Sequence, residues 1–413
     1  MNTAPEPHVL IAGASIAGPG LAFWLNRYGW RTTVVERAPA FRDGGQNVDV
    51  RGAGREVLRR AGLEDTVKAA TTGEQGTRFI GAGGVIVAEF PATGSETGGA
   101  TAEVEILRGD LARIFVDATA ATTTEYLFGD RITAVDDDGD RVRVSFEHAD
   151  DRDFDLVIAA DGIGSSTRRL VFGDEPKLTS LGMEMTYLTI ARTADDTDWW
   201  RWYSAPGGLA VTLRPDPHGT TRAVLTSMGD RRQDRDAPGS EKRNPAEQRA
   251  HLRQQFADAG WEAGRVLDAL DDADDMYYES IGQVRAPRWS SGRVALTGDA
   301  AWCASPVSGM GTSLSIVGAY VLAGELAAHV DHRDAFAGYE RIMRPYVEQA
   351  QDLPPGTPRL ANPTTRAGIA VLHTVLRAAA SRVARRVTGG LFSPPADKID
   401  LPDYGHLEVA ARA

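Results

Sequence analysis

Four apolar runs of strand length mark this chain, and each one stops at a glycine or an acid. Val9-Leu10-Ile11-Ala12 enters Gly13, and Thr32-Thr33-Val34-Val35 ends at Glu36. Leu156-Val157-Ile158-Ala159-Ala160 enters Asp161-Gly162, and Val294-Ala295-Leu296-Thr297 enters Gly298-Asp299. Runs without polar alternation predict strands buried on both faces, the habit of a parallel sheet covered on both sides. After the first run, Leu21, Ala22, Phe23 and Leu25 recur at helical spacing up to Gly29. Further helices are expected near Gly109–Ala121 and from Leu314 to about Ala327, with strands near 124–148.

Two regions break this pattern. Thr77–Phe90, with Gly81, Gly83 and Gly84, reads as a β-hairpin. From about 175 to 288 apolar residues alternate: Met183, Met185 and Tyr187, then Trp200 and Trp202, then Leu209, Val211 and Leu213. Strict alternation gives an antiparallel sheet with one apolar face. Asp230–Pro245 reads as an exposed loop, followed by helices over Pro245–Ala259 and Trp261–Asp272. Beyond Asn362-Pro363 a helix runs from about Thr364 to Val387. Ile369, Leu372, Leu376, Ala379 and Val383 form one apolar face, and Arg366, Arg377, Arg382, Arg385 and Arg386 make it basic. The expected fold is α/β. Residues 1–72, 100–174 and 289–350 build a Rossmann-like domain, interrupted by an antiparallel-sheet domain from 73–99 and 175–288, with a C-terminal helix and tail over 351–413.

Composition narrows the field. A chain of 413 residues can bury two cores. A net charge of −12 argues against nucleic acid and anionic membrane as partners. The single cysteine, Cys303, permits no intramolecular disulfide, and together with the absence of a leader pattern it predicts a cytoplasmic protein. No run of 18 apolar residues suggests a membrane span. The eight histidines show no metal-ligand spacing, so no metal site is expected.

The first run carries chemistry of its own. Val9–Glu36 has the strand–turn–helix–strand–acid order of a dinucleotide fold. Gly13 makes the tight turn, the helix start at Ser15, Ile16, Ala17 and Gly18 offers backbone N–H groups to a pyrophosphate, and Glu36 accepts from ribose hydroxyls. Ser15 stands where a second glycine is usual, as the smallest polar replacement. Pro306-Val307-Ser308-Gly309-Met310-Gly311 then leads through Thr312 into an apolar helix. The positive end of that helix suits the negative pyrimidine edge of a reduced flavin.

With the middle motif Asp161-Gly162…Ser165…Arg168, these stretches resemble the single-component FAD-dependent aromatic hydroxylases, the p-hydroxybenzoate hydroxylase-like group. Within it the chain is most similar to the tetracycline-inactivating and polyketide-tailoring monooxygenases, over Val9 to about Leu326. The resemblance implies noncovalent FAD, NADPH or NADH as reductant, and O2. It also implies an aromatic or polycyclic polyketide-like small molecule oxygenated through a flavin C4a-hydroperoxide, with no dedicated catalytic side chain. A monomer or homodimer is expected.

Family roles map onto individual residues. Gly13, Ser15, Gly18, Glu36 and Arg37 hold the adenosine half; Asp49, Arg108 and Asp161 contact FAD; Asp299 lies on its ribityl or pyrophosphate side. Arg42 and Arg168 fall on the nicotinamide path, and Met183, Met185, Tyr187, Trp200, Trp202 and Leu213 roof the substrate pocket. The C-terminal helix would bridge the two domains. Trp302, Ser313 and Gly318 depart from the usual His, Asn and Asp of the flavin loop and its helix.

Three other functions share these features. Trp200-Arg201-Trp202 resembles the Trp-x-Trp signature of flavin halogenases, but Tyr203-Ser204-Ala205-Pro206 follows instead of x-Ile-Pro. A flavin-dependent oxidase or reductase would use the same cofactor motifs without oxygenation. A non-catalytic FAD-bound protein that sequesters a drug would bind ligand without consuming NADPH.

Overall fold

The structure, a computed structural model, describes residues 6–42, 44–92, 104–229, 244–354, 356–381 and 399–409. Most of the expected loop over 230–245 and the helix end at Arg382, Val383, Arg385 and Arg386 lie outside the described residues.

The uninterrupted apolar runs form one sheet. From edge to edge it reads Ser290–Ser291, Val294–Leu296, Leu156–Ala159, His8–Ala12, Arg31–Glu36 and Thr124–Phe128, with every neighbouring pair parallel except the first. Both faces are covered, which is why these strands carry no polar alternation. Val9 and Ile11 point into a core built with the helices Ala17–Arg27, Gly311–Ala328 and His332–Gln351. Leu10 and Ala12 point the other way, onto the antiparallel strands Ile132–Asp137, Val142–Phe146 and Arg152–Phe154. Leu21, Trp24 and Leu25 of the first helix are at most 1% exposed. Each such burial contributes roughly 1.5–3 kcal/mol. The helix Gly311–Ala328 is long and apolar enough to cross a bilayer, yet 72% of it is buried inside the protein, as a core helix.

The alternating runs form a second sheet of seven strands: Tyr277–Arg285, Lys177–Ala191, Thr220–Met228, Leu209–Pro215, Trp200–Ala205, Gly76–Ile80 and Ile86–Pro91. The hairpin therefore joins the second sheet, in parallel with Trp200–Ala205. One face packs on the helices Pro245–Phe256 and Ala263–Asp268. The first of these opens on a capping box, Asn244 accepting from Glu247 N and Glu247 from Asn244 N. A two-stranded ribbon, Asn47–Val50 with Val104–Leu107, lies at the seam between the sheets.

The C-terminal helix is observed over Arg366–Ala380, begun by the Thr365 side chain accepting from Gly368 N. It lies on the outer hairpin strand, so the helix itself rests on the second sheet. The tail at 402–409 returns to the first domain. Tyr404 occupies a notch where a Cβ on Gly324 would lie 2.1 Å from its ring, and it donates to Glu325. Arg60 and Tyr320 both donate to Pro402 O, and Arg27 pairs with Glu408 at 2.7 Å.

Candidate active site

Because Val294–Leu296, Leu156–Ala159, His8–Ala12 and Arg31–Glu36 are adjacent and parallel, their C-terminal ends share one edge of the sheet. In open α/β sheets that edge is where ligands bind. The three motifs touch there. Gly13 has φ +104°, and a Cβ on it would sit 2.5 Å from Ala160 O; a Cβ on Gly18 would sit 1.9 Å from Gly13 O. Gly298, also at positive φ, packs against Ala17, where a Cβ would come within 2.9 Å. Only glycine closes the three loops this tightly.

The donor set fits a dinucleotide. The helix Ala17–Arg27 starts at Ile16 with no side-chain cap, leaving its first N–H groups for a phosphate, with Ser15 half-buried beside them. Glu36 accepts from Ala14 N at 3.0 Å and Ala38 N at 2.9 Å, which fixes it at the strand end. Arg37 is exposed next to it. Asp161 accepts from the Ser165 hydroxyl and from Thr167 N and Oγ1, closing the turn that abuts Gly13. Asp299 is exposed although Thr297, Ala300 and Ala301 around it are fully buried, so it borders a cleft inside the molecule. Although its side chain reaches solvent, the protein packed densely around it pushes its carboxyl above the usual range, and the Arg108 guanidinium opposes that shift. The helix Gly311–Ala328 also begins without a side-chain cap, after Gly309 at φ +63° and the half-buried Gly311 and Thr312. Pro306 is exposed on the loop, and Ser305 before it holds φ +74°, a strained value for a side-chain-bearing residue. Cys303 is buried, and burial, then Asp299, pushes its thiol far up, so it stays neutral.

Two expectations need correction. Arg168 is 2% exposed, and its terminal nitrogens donate to Ala300 O at 2.8 Å and Ile163 O at 2.6 Å. It ties the middle motif to the Asp299 loop and presents nothing to a nicotinamide, whereas Arg42 is exposed. Leu213 lies on the wrong face of the second sheet. Its partner across the ladder is Arg201, and it packs with Leu252 and Phe256 under the helices. Trp202 pairs with Thr212, Thr212 with Val224, and Val224 with Tyr187, so the other face carries Met183, Met185, Tyr187, Trp200 and Trp202. Tyr187 donates to Met185 Sδ at 3.3 Å and stacks on Tyr277; Trp202 stacks on Phe79.

Arg108 opens the helix Arg108–Thr119, and its side chain packs beside Gly45. Its charge acts on Asp299 in the cleft and on Tyr187 of the sheet, where burial, then Glu279, holds the phenol far above its usual range.

The departures at Trp302 and Gly318 explain each other, since a Cβ on Gly318 would lie 2.8 Å from Trp302 Cζ2. The indole fills that notch and meets Trp289 and Tyr339 behind the loop. Ser313 accepts from Arg51 N at 3.0 Å and donates to Arg51 O at 3.2 Å, which locks the helix start to the seam ribbon.

A buried ionic knot at the seam went unnoticed in the sequence. Arg214 pairs with Glu74 and Glu105, and Asp49 with Arg51 at 2.9 Å. The signal was Glu105 itself, an acid within the fully buried run Val104-Glu105-Ile106-Leu107.

Comparison with known proteins agrees with this geometry. The family model described as "FAD binding domain" matches residues 6–353. The FAD-dependent monooxygenase asL4 of Sarocladium schorii is 35% identical, over 98% of this chain and 99% of its own. The flavin-dependent monooxygenase eupH of a Phoma species is 37% identical, over 96% and 97%. Among solved structures, the tetracycline destructase Tet(51) superposes with a TM-score of 0.79 at 29% identity, covering 97% of this chain and all of that one. A family match over most of the chain, on a site whose glycines, uncapped helix starts and strand-end acids suit the cofactor, places the protein in the FAD-binding-domain family.

Proposed function

We propose that this protein is an NAD(P)H-dependent flavoprotein monooxygenase that inserts one oxygen atom of O2 into an aromatic or polyketide-like small molecule. The observation that carries this reading is the shared strand edge at which the Gly13, Asp161 and Gly298 loops meet beside two uncapped helix starts, in a chain of the FAD-binding-domain family.

Bound FAD supplies the redox chemistry, taking hydride from a nicotinamide and activating O2. The chain's own residues bind, orient and exclude water. The two uncapped helix starts receive negative charge, and Glu36 and Asp299 accept from cofactor hydroxyls. Met183, Met185, Tyr187, Trp200 and Trp202 offer an apolar floor for a planar substrate, and water kept off that floor cannot intercept the activated oxygen. The indole N–H groups of Trp200 and Trp202 are buried with no partner among the described residues. Arg42, which is exposed, is the remaining candidate for the nicotinamide phosphate. Relatives named as monooxygenases and as a tetracycline destructase support the reaction class.

The test is a mass-spectrometric screen of phenolic and polycyclic polyketide substrates with NADPH or NADH under labelled O2. A product one labelled oxygen heavier supports the reading. Reductant consumed with only peroxide formed across the panel would favour an oxidase instead.

A further inference from the structure

At the seam between the two sheets one guanidinium has three different neighbours. Arg214, near the end of Leu209–Pro215, donates from Nε and Nη2 to the two carboxyl oxygens of Glu74 at 2.8 and 3.1 Å, pairs through Nη2 with Glu105 at 2.8 Å, and lies 4.2 Å from the centre of the Trp200 ring. The side chains are 11%, 1% and 4% exposed for Arg214, Glu74 and Glu105, so all three charges are held away from water. Glu105 stands directly opposite Asp49 in the ribbon, an arrangement of like charges that is unfavourable unless a cation or proton offsets it. Burial, then the Glu74 and Asp49 charges, pushes the Glu105 carboxyl up to about 8 against the pull of Arg214. Asn47 Nδ2 also donates to Glu105.

The knot reaches elements of both sheets. On one side the ribbon carries Asp49 and leads into Arg51, whose backbone holds Ser313 at the start of the loop helix. On the other side Trp200 belongs to the sheet face that carries Trp202 and Tyr187.

We propose that Arg214 is a positioning residue for the oxygenation: it fixes the Trp200 indole on the substrate face while anchoring Glu105, and with it the ribbon that carries Asp49, so that one side chain sets the spacing between substrate floor and cofactor. This rests on the monooxygenase reading above. A guanidinium suits the task because its flat fork binds two carboxyls edge-on and leaves its face for the indole. Lysine keeps the charge but loses both the fork and the stack.

The experiment compares three variants of the full-length holoprotein. Arg214→Lys should lower product formed per NADPH consumed about tenfold, in line with the loss of a desolvated cation–π contact, and should change the near-ultraviolet circular dichroism of the tryptophans. Trp200→Phe should keep part of the coupling, because a smaller ring still accepts the stack. The triple variant Arg214→Met, Glu74→Gln, Glu105→Gln removes the buried charges together, so it should melt near the wild-type temperature yet stay uncoupled. Normal coupling in Arg214→Lys or in the triple variant would overturn the proposal, because packing alone would then suffice. So would an unchanged tryptophan spectrum in Arg214→Lys. If wild type itself oxygenates nothing, the function reading fails, while the spectrum still reports whether Arg214 holds Trp200.

Discussion

At the cofactor cleft, one added carbon on Gly13 meets Ala160 O at 2.5 Å, and one on Gly18 meets Gly13 O at 1.9 Å. On the facing sheet nothing so strict applies. Met183, Met185, Tyr187, Trp200 and Trp202 project from well-paired strands whose backbone hydrogen bonds are indifferent to the side chain. The cleft is a backbone site, in which close approaches and free N–H groups recognise the constant part of the ligand. The sheet is a side-chain site, in which the recognised shape can change without disturbing a strand. A protein divided this way can keep its cofactor while its substrate varies.

The contrast breaks most sharply at Gly13. Gly13→Val would put a branched side chain at φ +104° against Ala160, and the purified variant should carry essentially no FAD while remaining folded at low temperature. The visible-to-ultraviolet absorbance ratio measures this, and full occupancy would refute the backbone account. On the sheet, Leu213→Ala should cost about 2–5 kcal/mol of stability, the range for a buried leucine, and leave substrate selectivity alone. Trp202→Ala should do the reverse, sparing FAD content and lowering coupling to product. Thermal melts beside peroxide assays separate the two, and a loss of coupling in Leu213→Ala would mean the faces are misassigned.

Asp299→Ala should weaken FAD binding roughly ten- to a hundredfold, the worth of one charge-assisted hydrogen bond of about 1.5–3 kcal/mol. Fluorescence titration of the apoprotein reads it. Gly318→Ala drives a Cβ into Trp302 and should destabilise by about 1–3 kcal/mol, with recovery when Trp302→His is added. An additive double mutant would show that the two departures are independent.

The smallest effect is one of pH. Glu105 holds its proton up to about 8 in the folded chain, whereas an unfolded glutamate releases it near about 4.3. Between those values the folded state binds more protons, so stability should fall as pH rises through that window. Glu105→Gln should flatten this decline, visible as a smaller difference in melting temperature between pH 5 and pH 8. An unchanged slope would place the proton elsewhere in the knot.

The cleft was legible in the sequence because its elements are local. A strand, a glycine and a helix start lie within ten residues, and the acids at Glu36 and Asp299 close their own strands. Leu213 was misplaced because alternation gives two faces but not which is which. The connections after Ala191 and Ala205 reset the parity, and only the pairing of Leu213 with Arg201 decides it. Arg168 misled for a related reason: an arginine two residues beyond a loop reads as a ligand contact until its carbonyl partners 132 and 5 positions away are known. The seam knot joins Asp49, Glu74, Glu105 and Arg214 from four separate stretches, and no window of sequence holds them together.

The tail at 402–409 has a consequence for biosynthesis. Its tyrosine completes the packing of the helix Gly311–Ala328, whose first turn faces the cofactor cleft. The parallel sheet likewise waits for Val294–Leu296, because that strand must pair beside Leu156–Ala159. The sheet that carries the cleft therefore cannot be completed until residues 294–296 have been made, and until then Leu156–Ala159 lacks its neighbour on that side. Capture of the cofactor by a finished cleft is accordingly expected only after that strand and the helix Gly311–Ala328 are in place.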